Sequence, residues 1–225
     1  MLKPKRKITR EEIKKDSFVE SVFKTRSFVR DNSKLFYRIG GGCAILFTLV
    51  IFFGTSLKNN KKEAEFLLTQ STLFLDGGDK QNAKIILQEL VDEYGGTEPG
   101  RLGGYHLAQM HIKDYNNDSA LPLLIEYSEN GDNPFLLSSV NESISNIYLQ
   151  NNDLKNAIKY QSNSVKKTDT KKAAALSKIK LVELYIKEGS FDKSSELIYD
   201  LSTEYSDDTD IMNKINYLLG LSMNN

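Results

Sequence analysis

Nineteen uncharged residues, from Ile39 to Leu57, separate two parts of the chain that differ in their pattern of apolar and polar positions. As a helix this run would be about 28 Å long, close to the hydrocarbon thickness of a bilayer. A buried core helix and a signal peptide can also be apolar, but they rarely need so long a run that is apolar on every side. We therefore predict one transmembrane helix over residues 39–57.

Before this run, apolar residues recur at helical spacing among lysines and arginines. These apolar positions are Ile13, Phe18, Val19, Val22, Phe23, Phe28 and Val29. The pattern predicts an amphipathic basic helix within a tail that spans residues 1–38. Such a helix could bind the anionic cytoplasmic leaflet, dock a cytosolic partner, or serve only to orient the span.

The two parts also differ in charge, although the whole chain is neutral. Residues 1–38 carry twelve Lys and Arg against five Asp and Glu, and residues 58–225 carry eighteen against twenty-five. Because positive residues stay on the cytoplasmic side, this asymmetry predicts a cytoplasmic N-terminus and a C-terminal domain on the outer face. The long tail before the run and the poor cleavage site after it favour an uncleaved signal anchor over a signal peptide.

Residues 58–225 contain four copies of a pattern that repeats every 37 residues. A small residue recurs in each copy, at Ala83, Ala120, Ala157 and Ser194. Nine positions earlier stand Phe74, His111, Tyr148 and Tyr185. A turn rich in Gly, Asn and Asp lies between the two positions, so the domain reads as a repeat array.

This spacing resembles the tetratricopeptide repeat (TPR), in which an aromatic residue on helix A, a turn and a small residue on helix B recur. In that family the small residue lets the two helices approach closely, and the aromatic fills the groove between them. The resemblance implies an all-α fold, an α-solenoid of about four TPR-like helix pairs followed by a C-terminal capping helix. The pairs are expected at about 61–94, 101–130, 135–167 and 171–206, and the cap at 210–223.

Residues able to carry chemistry are scarce. His106 and His111 lie five positions apart on one predicted helix, whereas zinc ligands on a helix are typically three or four positions apart. The glycines between Gly95 and Gly104 are expected between helices, without the preceding strand of a phosphate-binding loop. We therefore expect no enzyme, no catalytic residue, no metal, no cofactor and no small-molecule substrate, and the acidic domain argues against nucleic acid.

In TPR arrays the A helices line a concave groove that commonly holds a peptide or a partner helix. Transferring the family's groove positions to this sequence gives eight candidate partner contacts: Tyr105, Gln109, Lys113, Glu142, Asn146, Ile179, Glu183 and Lys187. Their mixture of aromatic, amide and charged side chains suits a polypeptide better than a small metabolite.

The order of basic tail, signal anchor and divergent repeats resembles bacterial inner-membrane proteins of the ancillary SecYEG translocon subunit (YfgM-like) type. The resemblance implies a non-enzymatic scaffold whose repeats face the periplasm and whose protein partners are the Sec translocon or a periplasmic chaperone. A second interpretation is a structural or assembly adaptor of a cell-envelope or cell-division complex. Motifs of the YG-x-T and YS-x-D kind also occur in that group, and here they begin within Glu93-Tyr94-Gly95 and Glu204-Tyr205-Ser206. An organelle import receptor would need its repeats in the cytosol, against the charge asymmetry.

Overall fold

The computed structural model describes residues 17–223, and every regular element within that range is an α-helix. Packing divides the chain into an N-terminal unit that ends at Lys58 and a second unit that begins at Asn59. Ile13, the first apolar position of the predicted tail helix, lies outside the described residues.

The N-terminal unit contains helix α1 (Ser17–Asp31) and the first part of helix α2 (Ser33–Asp76). On α1 the side chains of Val22, Phe23, Phe28 and Val29 are exposed, and Phe23 and Phe28 are 62% and 59% exposed. Within α2, the stretch Ser33–Val50 is long and apolar enough to cross a membrane, and none of its described side chains is buried. This finding rests on length and composition, criteria that a signal sequence near an N-terminus also meets.

Up to residue 223, where the described part of the chain ends, the second unit contains the remainder of α2 and eight further helices. They are α3 (Lys80–Tyr94), α4 (Glu98–Lys113), α5 (Asn117–Asn130), α6 (Pro134–Gln150), α7 (Leu154–Lys166), α8 (Lys171–Glu188), α9 (Phe191–Glu204) and α10 (Thr209–Met223). From α3 onward each helix packs against the next, and α10 also packs against α8. The predicted all-α solenoid of helix pairs with a terminal capping helix is confirmed.

The turn inside each helix pair has the same backbone geometry. One residue per turn has a positive φ, of 79°, 57°, 59° and 83° at Gly78, Tyr115, Asn152 and Gly189. In each turn the following residue donates its N–H, over 2.8–2.9 Å, to the carbonyl of Phe74, His111, Tyr148 or Tyr185. A left-handed residue with this hydrogen bond is a common way to end a helix. The residues at the aromatic repeat position therefore also supply the carbonyl that closes helix A.

The small repeat position lies in the core. Ala83, Ala120, Ala157 and Ser194 are each 0% exposed. Around Ala157 the neighbouring helix comes so close that the Ser145 hydroxyl donates to the Ala157 carbonyl at 2.8 Å. At the aromatic position His111 is buried and the others are half-buried, with Tyr148 stacked on Tyr160 at 5.6 Å between ring centroids.

Contrary to the sequence-based expectation, Gly100, Gly103 and Gly104 lie inside α4 rather than between helices. Thr97 begins this helix by accepting a hydrogen bond from the Gly100 N–H at 3.1 Å. A β-carbon on Gly103 would lie 2.4 Å from Leu90 Cδ2, so a larger residue on α4 would require the Leu90 side chain on α3 to move. Packing thus outweighs the low helix propensity of glycine.

Candidate functional site

A groove with a volume of about 600 Å³ lies between α6, α8 and α10 and ends at the connection between α7 and α8. Its lining residues are Phe135, Ser138, Ser139, Glu142, Lys167, Thr168, Asp169, Thr170, Ala173, Leu176, Ser177, Ile179, Lys180, Glu183 and Lys214. Three of the eight predicted partner contacts, Glu142, Ile179 and Glu183, meet in this groove.

Apolar side chains in the groove are available to a ligand. Phe135 on α6 is 76% exposed and Leu176 on α8 is 38% exposed. Ile179 lines the same groove but is only 5% exposed, so most of its side chain belongs to the core. Exposed aromatic and aliphatic groups inside a concave surface are typical anchors for a protein partner.

Charges of both signs line the groove. Glu142 on α6 forms a salt bridge with Lys180 on α8, which links two successive A helices. Besides this pair, two carboxylates and two amines line it, at Asp169, Glu183, Lys167 and Lys214. The groove therefore has no net charge at neutral pH.

A hydroxyl network holds the end of the groove in place. The Ser138 Oγ lies 3.0 Å from the Ser164 Oγ and 2.9 Å from the Thr168 Oγ1. The Thr168 hydroxyl in turn donates to the Ser164 carbonyl at 2.8 Å. These bonds join α6 to α7 and to the connection between α7 and α8.

The structure does not place the other five predicted contacts in this groove. Tyr105 packs against Tyr127 at 5.5 Å between ring centroids, beside the core. Gln109 is half-buried, Asn146 and Lys187 are exposed, and Lys113 lines a different pocket.

Sequence reasoning missed the other twelve residues that line the groove, among them Phe135, Leu176, Lys180 and Lys214. Phe135 carries a signal that could have found it, because Ser138, Ser139 and Glu142 make the rest of its helix face polar. Leu176 carries a weaker signal, since Ala173 and Ile179 lie on the same side of its helix. Lys214 carried none, since it comes from the capping helix, beyond the four aligned copies.

The two histidines differ in their burial. His106 is half-buried and His111 is buried, and burial lowers the pKa of both imidazoles. The charge of Lys84 lowers the pKa of His111 further, and the His111 Nδ1 has no hydrogen-bond partner in the described structure. Over residues 17–223, no group of three His, Cys, Asp or Glu residues is placed to hold a metal ion.

Neither a family model nor a curated protein matches this chain. Among solved structures, it is similar to the crystal structure of nearly identical TPR-like repeats from a candidate kinesin light chain of Podosopora anserina. The two chains share 12% sequence identity, the match covers 73% of this chain and 88% of that chain, and the TM-score is 0.55. The fold is TPR-like. At this identity the likeness concerns the fold alone, and the resemblance to the YfgM-like type stays a prediction.

Proposed function

We propose that this chain is a non-enzymatic, membrane-tethered scaffold that binds a polypeptide in the groove between α6, α8 and α10. The observation that carries the proposal is the exposure of Phe135 on α6 and Leu176 on α8, which both line that groove. A polypeptide can fill both apolar positions and pair its own charges with the balanced set around them.

Co-purification tests the groove. We expect Phe135→Ala combined with Leu176→Ala to reduce the amount of co-purifying partner about tenfold, because anchor residues dominate the energy of an interface. The matched control combines Ile85→Ala with Tyr199→Ala, two residues that are 58% and 71% exposed but do not line the groove. Recovery of equal amounts of partner with both double variants would show that the groove is not the binding site.

We further propose that the chain lies in the bacterial inner membrane, with its N-terminus in the cytoplasm and its repeats in the periplasm. Two observations support this placement: the apolar stretch Ser33–Val50 and the excess of basic residues before it. A tag on the C-terminus tests it through protease treatment of spheroplasts. Digestion of the tag in intact spheroplasts is expected, and protection of the tag would contradict the orientation.

The partner that we propose is a component of the Sec translocon or a periplasmic chaperone. Purification from gently solubilised membranes should recover one of these, whereas recovery of envelope-assembly proteins alone would favour the adaptor interpretation.

The motifs that the adaptor group shares have a structural role here. Thr97, three residues after Tyr94, caps α4, and Asp208, three residues after Tyr205, accepts from the Ile211 N–H at 3.2 Å near the start of α10. These motifs therefore do not favour the adaptor interpretation over the translocon one.

A further inference from the structure

A second cavity, of about 310 Å³, lies where the end of α2, the start of α3 and the end of α4 meet. Its lining residues are Leu75, Lys80, Gln81, Lys84, Met110, Lys113 and Asp114, which we call the lysine pocket. It shares no lining residue with the groove between α6, α8 and α10. Leu75 and Met110 are half-buried and provide the apolar part of its surface.

The lysine pocket is positively charged within an acidic domain. Lys84 pairs with Asp114 at 3.2 Å, but neither Lys80 nor Lys113 has an ion-pair partner in the described part of the chain. The carboxylate of Asp79, which precedes Lys80, already accepts hydrogen bonds from the backbone N–H and the side-chain amide of Asn82. Two positive charges are thus left for a ligand, although residues 58–225 carry eighteen basic against twenty-five acidic residues.

Tyr115 follows the lysine pocket directly in the chain and is the unusual member of the four turns. It has a φ of 57°, where the equivalent residues are Gly78, Asn152 and Gly189. A β-carbon makes this conformation unfavourable, and tyrosine lacks the short polar side chain that eases it for asparagine. Its side chain is 95% exposed, so packing within the fold does not explain the choice of tyrosine. An exposed aromatic beside an apolar and charged cavity suits a contact with a partner.

We propose that the lysine pocket docks an acidic polypeptide segment that also carries an apolar side chain. Carboxylates of the segment pair with Lys80 and Lys113, its apolar side chain packs on Leu75 and Met110, and Tyr115 adds an aromatic contact. The charge of the pocket selects an acidic partner over a basic one, and its half-buried apolar surface selects a polypeptide over a simple anion. The lysine pocket shares no residue with the groove between α6, α8 and α10, so an experiment can refute binding at one of the two sites without refuting it at the other.

An array of short synthetic peptides, probed with the detergent-solubilised full chain, tests the ligand chemistry. One set alternates Glu with Leu, and three matched sets replace Glu with Gln, Glu with Lys, or Leu with Gly. We expect binding of the Glu–Leu set only, and a steep loss as salt is added because exposed charges are screened. Binding of the Glu–Gly set with equal strength would indicate a site for simple anions, and absence of Glu–Leu binding above the Gln set would also overturn the proposal.

Variants of the full chain test the location. Lys80→Glu combined with Lys113→Glu should weaken binding of the Glu–Leu peptides by at least about tenfold, since it reverses two charges at the contact. Lys166→Glu with Lys172→Glu makes the same change in net charge at two exposed positions outside the pocket, and should change the affinity less than about twofold. Equal losses in the two double variants would mean that net charge alone attracts the peptides, and would overturn the assignment to this pocket.

Tyr115→Gly separates a contact role from a structural one. The change is expected to relieve the turn, so loss of binding by a variant whose urea midpoint is not lowered would not come from unfolding. We expect weaker peptide binding by a protein that is at least as stable as the original. Unchanged affinity would remove Tyr115 from the docking surface.

Discussion

The contact between α3 and α4 predicts different effects on stability for alanine at Gly103 and at Gly104, because these adjacent residues of one helix face different surroundings. A β-carbon on Gly103 would lie 2.4 Å from Leu90 Cδ2 and 3.0 Å from Leu90 Cγ. Leu90 is 0% exposed and has little room to move. A β-carbon on Gly104 would lie 3.6 Å from Val91 Cγ2 and 3.9 Å from Leu123 Cδ2, which are ordinary contact distances.

The Gly104→Ala variant should therefore be more stable than the Gly103→Ala variant. Replacing glycine by alanine inside a helix gains about 1 kcal/mol, and forcing a methyl group into a packed core costs about 1–3 kcal/mol. Gly104→Ala should then raise the free energy of unfolding by about 1 kcal/mol. Gly103→Ala should leave it unchanged or lower it by up to about 2 kcal/mol. The helix propensity term is common to both, so the difference of about 1–3 kcal/mol measures the contact with Leu90.

Urea unfolding followed by far-UV circular dichroism gives the comparison. Repeat arrays can unfold in steps, so the midpoints are compared only where the dependence on urea is the same for both variants. If Gly103→Ala were as stable as Gly104→Ala, the helices would not approach as closely as described, and the explanation of the glycines in α4 would be wrong.

Three further predictions concern single residues. Burial and the charge of Lys84 lower the pKa of His111 in the folded chain. The stability that comes from keeping this imidazole neutral is therefore present above the ordinary pKa of about 6.5, and it is lost as the pH falls through the lowered value. His111→Phe should remove this loss of stability at low pH, which a comparison of urea midpoints at about pH 7.5 and about pH 5 would reveal. An unchanged pH dependence would show that His111 is not the group responsible. Arg101 donates from Nε to Asp132 at 2.9 Å and from Nη1 to the Gly96 carbonyl at 2.7 Å. Arg101→Lys should lower the free energy of unfolding by about 1–2 kcal/mol, because a lysine cannot make both bonds. An unchanged free energy would show that this link between two loops contributes little. Tyr115→Gly should raise the free energy of unfolding by about 0.5–1 kcal/mol in the same assay. Relief of the left-handed backbone conformation should exceed the cost of the greater freedom that glycine has in the unfolded chain. A decrease in stability would contradict the strain at this turn.

The sequence predicted the repeat architecture because the same local requirements recur at a fixed spacing. Each helix pair needs a left-handed residue in its turn and a small residue where the two helices meet. The turn positions Gly78, Asn152 and Gly189 and the small residue Ala83 are residue types that suit these requirements, so they can be recognised in the sequence. Tyr115 adopts the turn geometry against its own preference, so the sequence indicated that turn through the neighbouring Asn116, Asn117 and Asp118 and not through the left-handed residue itself.

Only part of the groove could be predicted, because the repeat spacing does not determine how far each A helix is rotated about its axis. One residue corresponds to about 100° around a helix, so small rotations change which side chains face the groove. Glu142 and Ile179 occupy equivalent positions 37 residues apart, yet Glu142 is half-buried beside Lys180 and Ile179 is 5% exposed. Lys214 reaches the groove from the capping helix, which has no counterpart among the four copies.

Site-specific photocross-linking in cells tests most directly whether the groove holds a polypeptide. A photoreactive phenylalanine analogue at Leu176 would probe the groove, and the same analogue at Tyr199, which is 71% exposed on α9, would be the control. The proposal predicts a discrete cross-linked protein from position 176 that is absent from position 199. Cross-links to the same protein from both positions, or none from position 176 in correctly inserted protein, would contradict it.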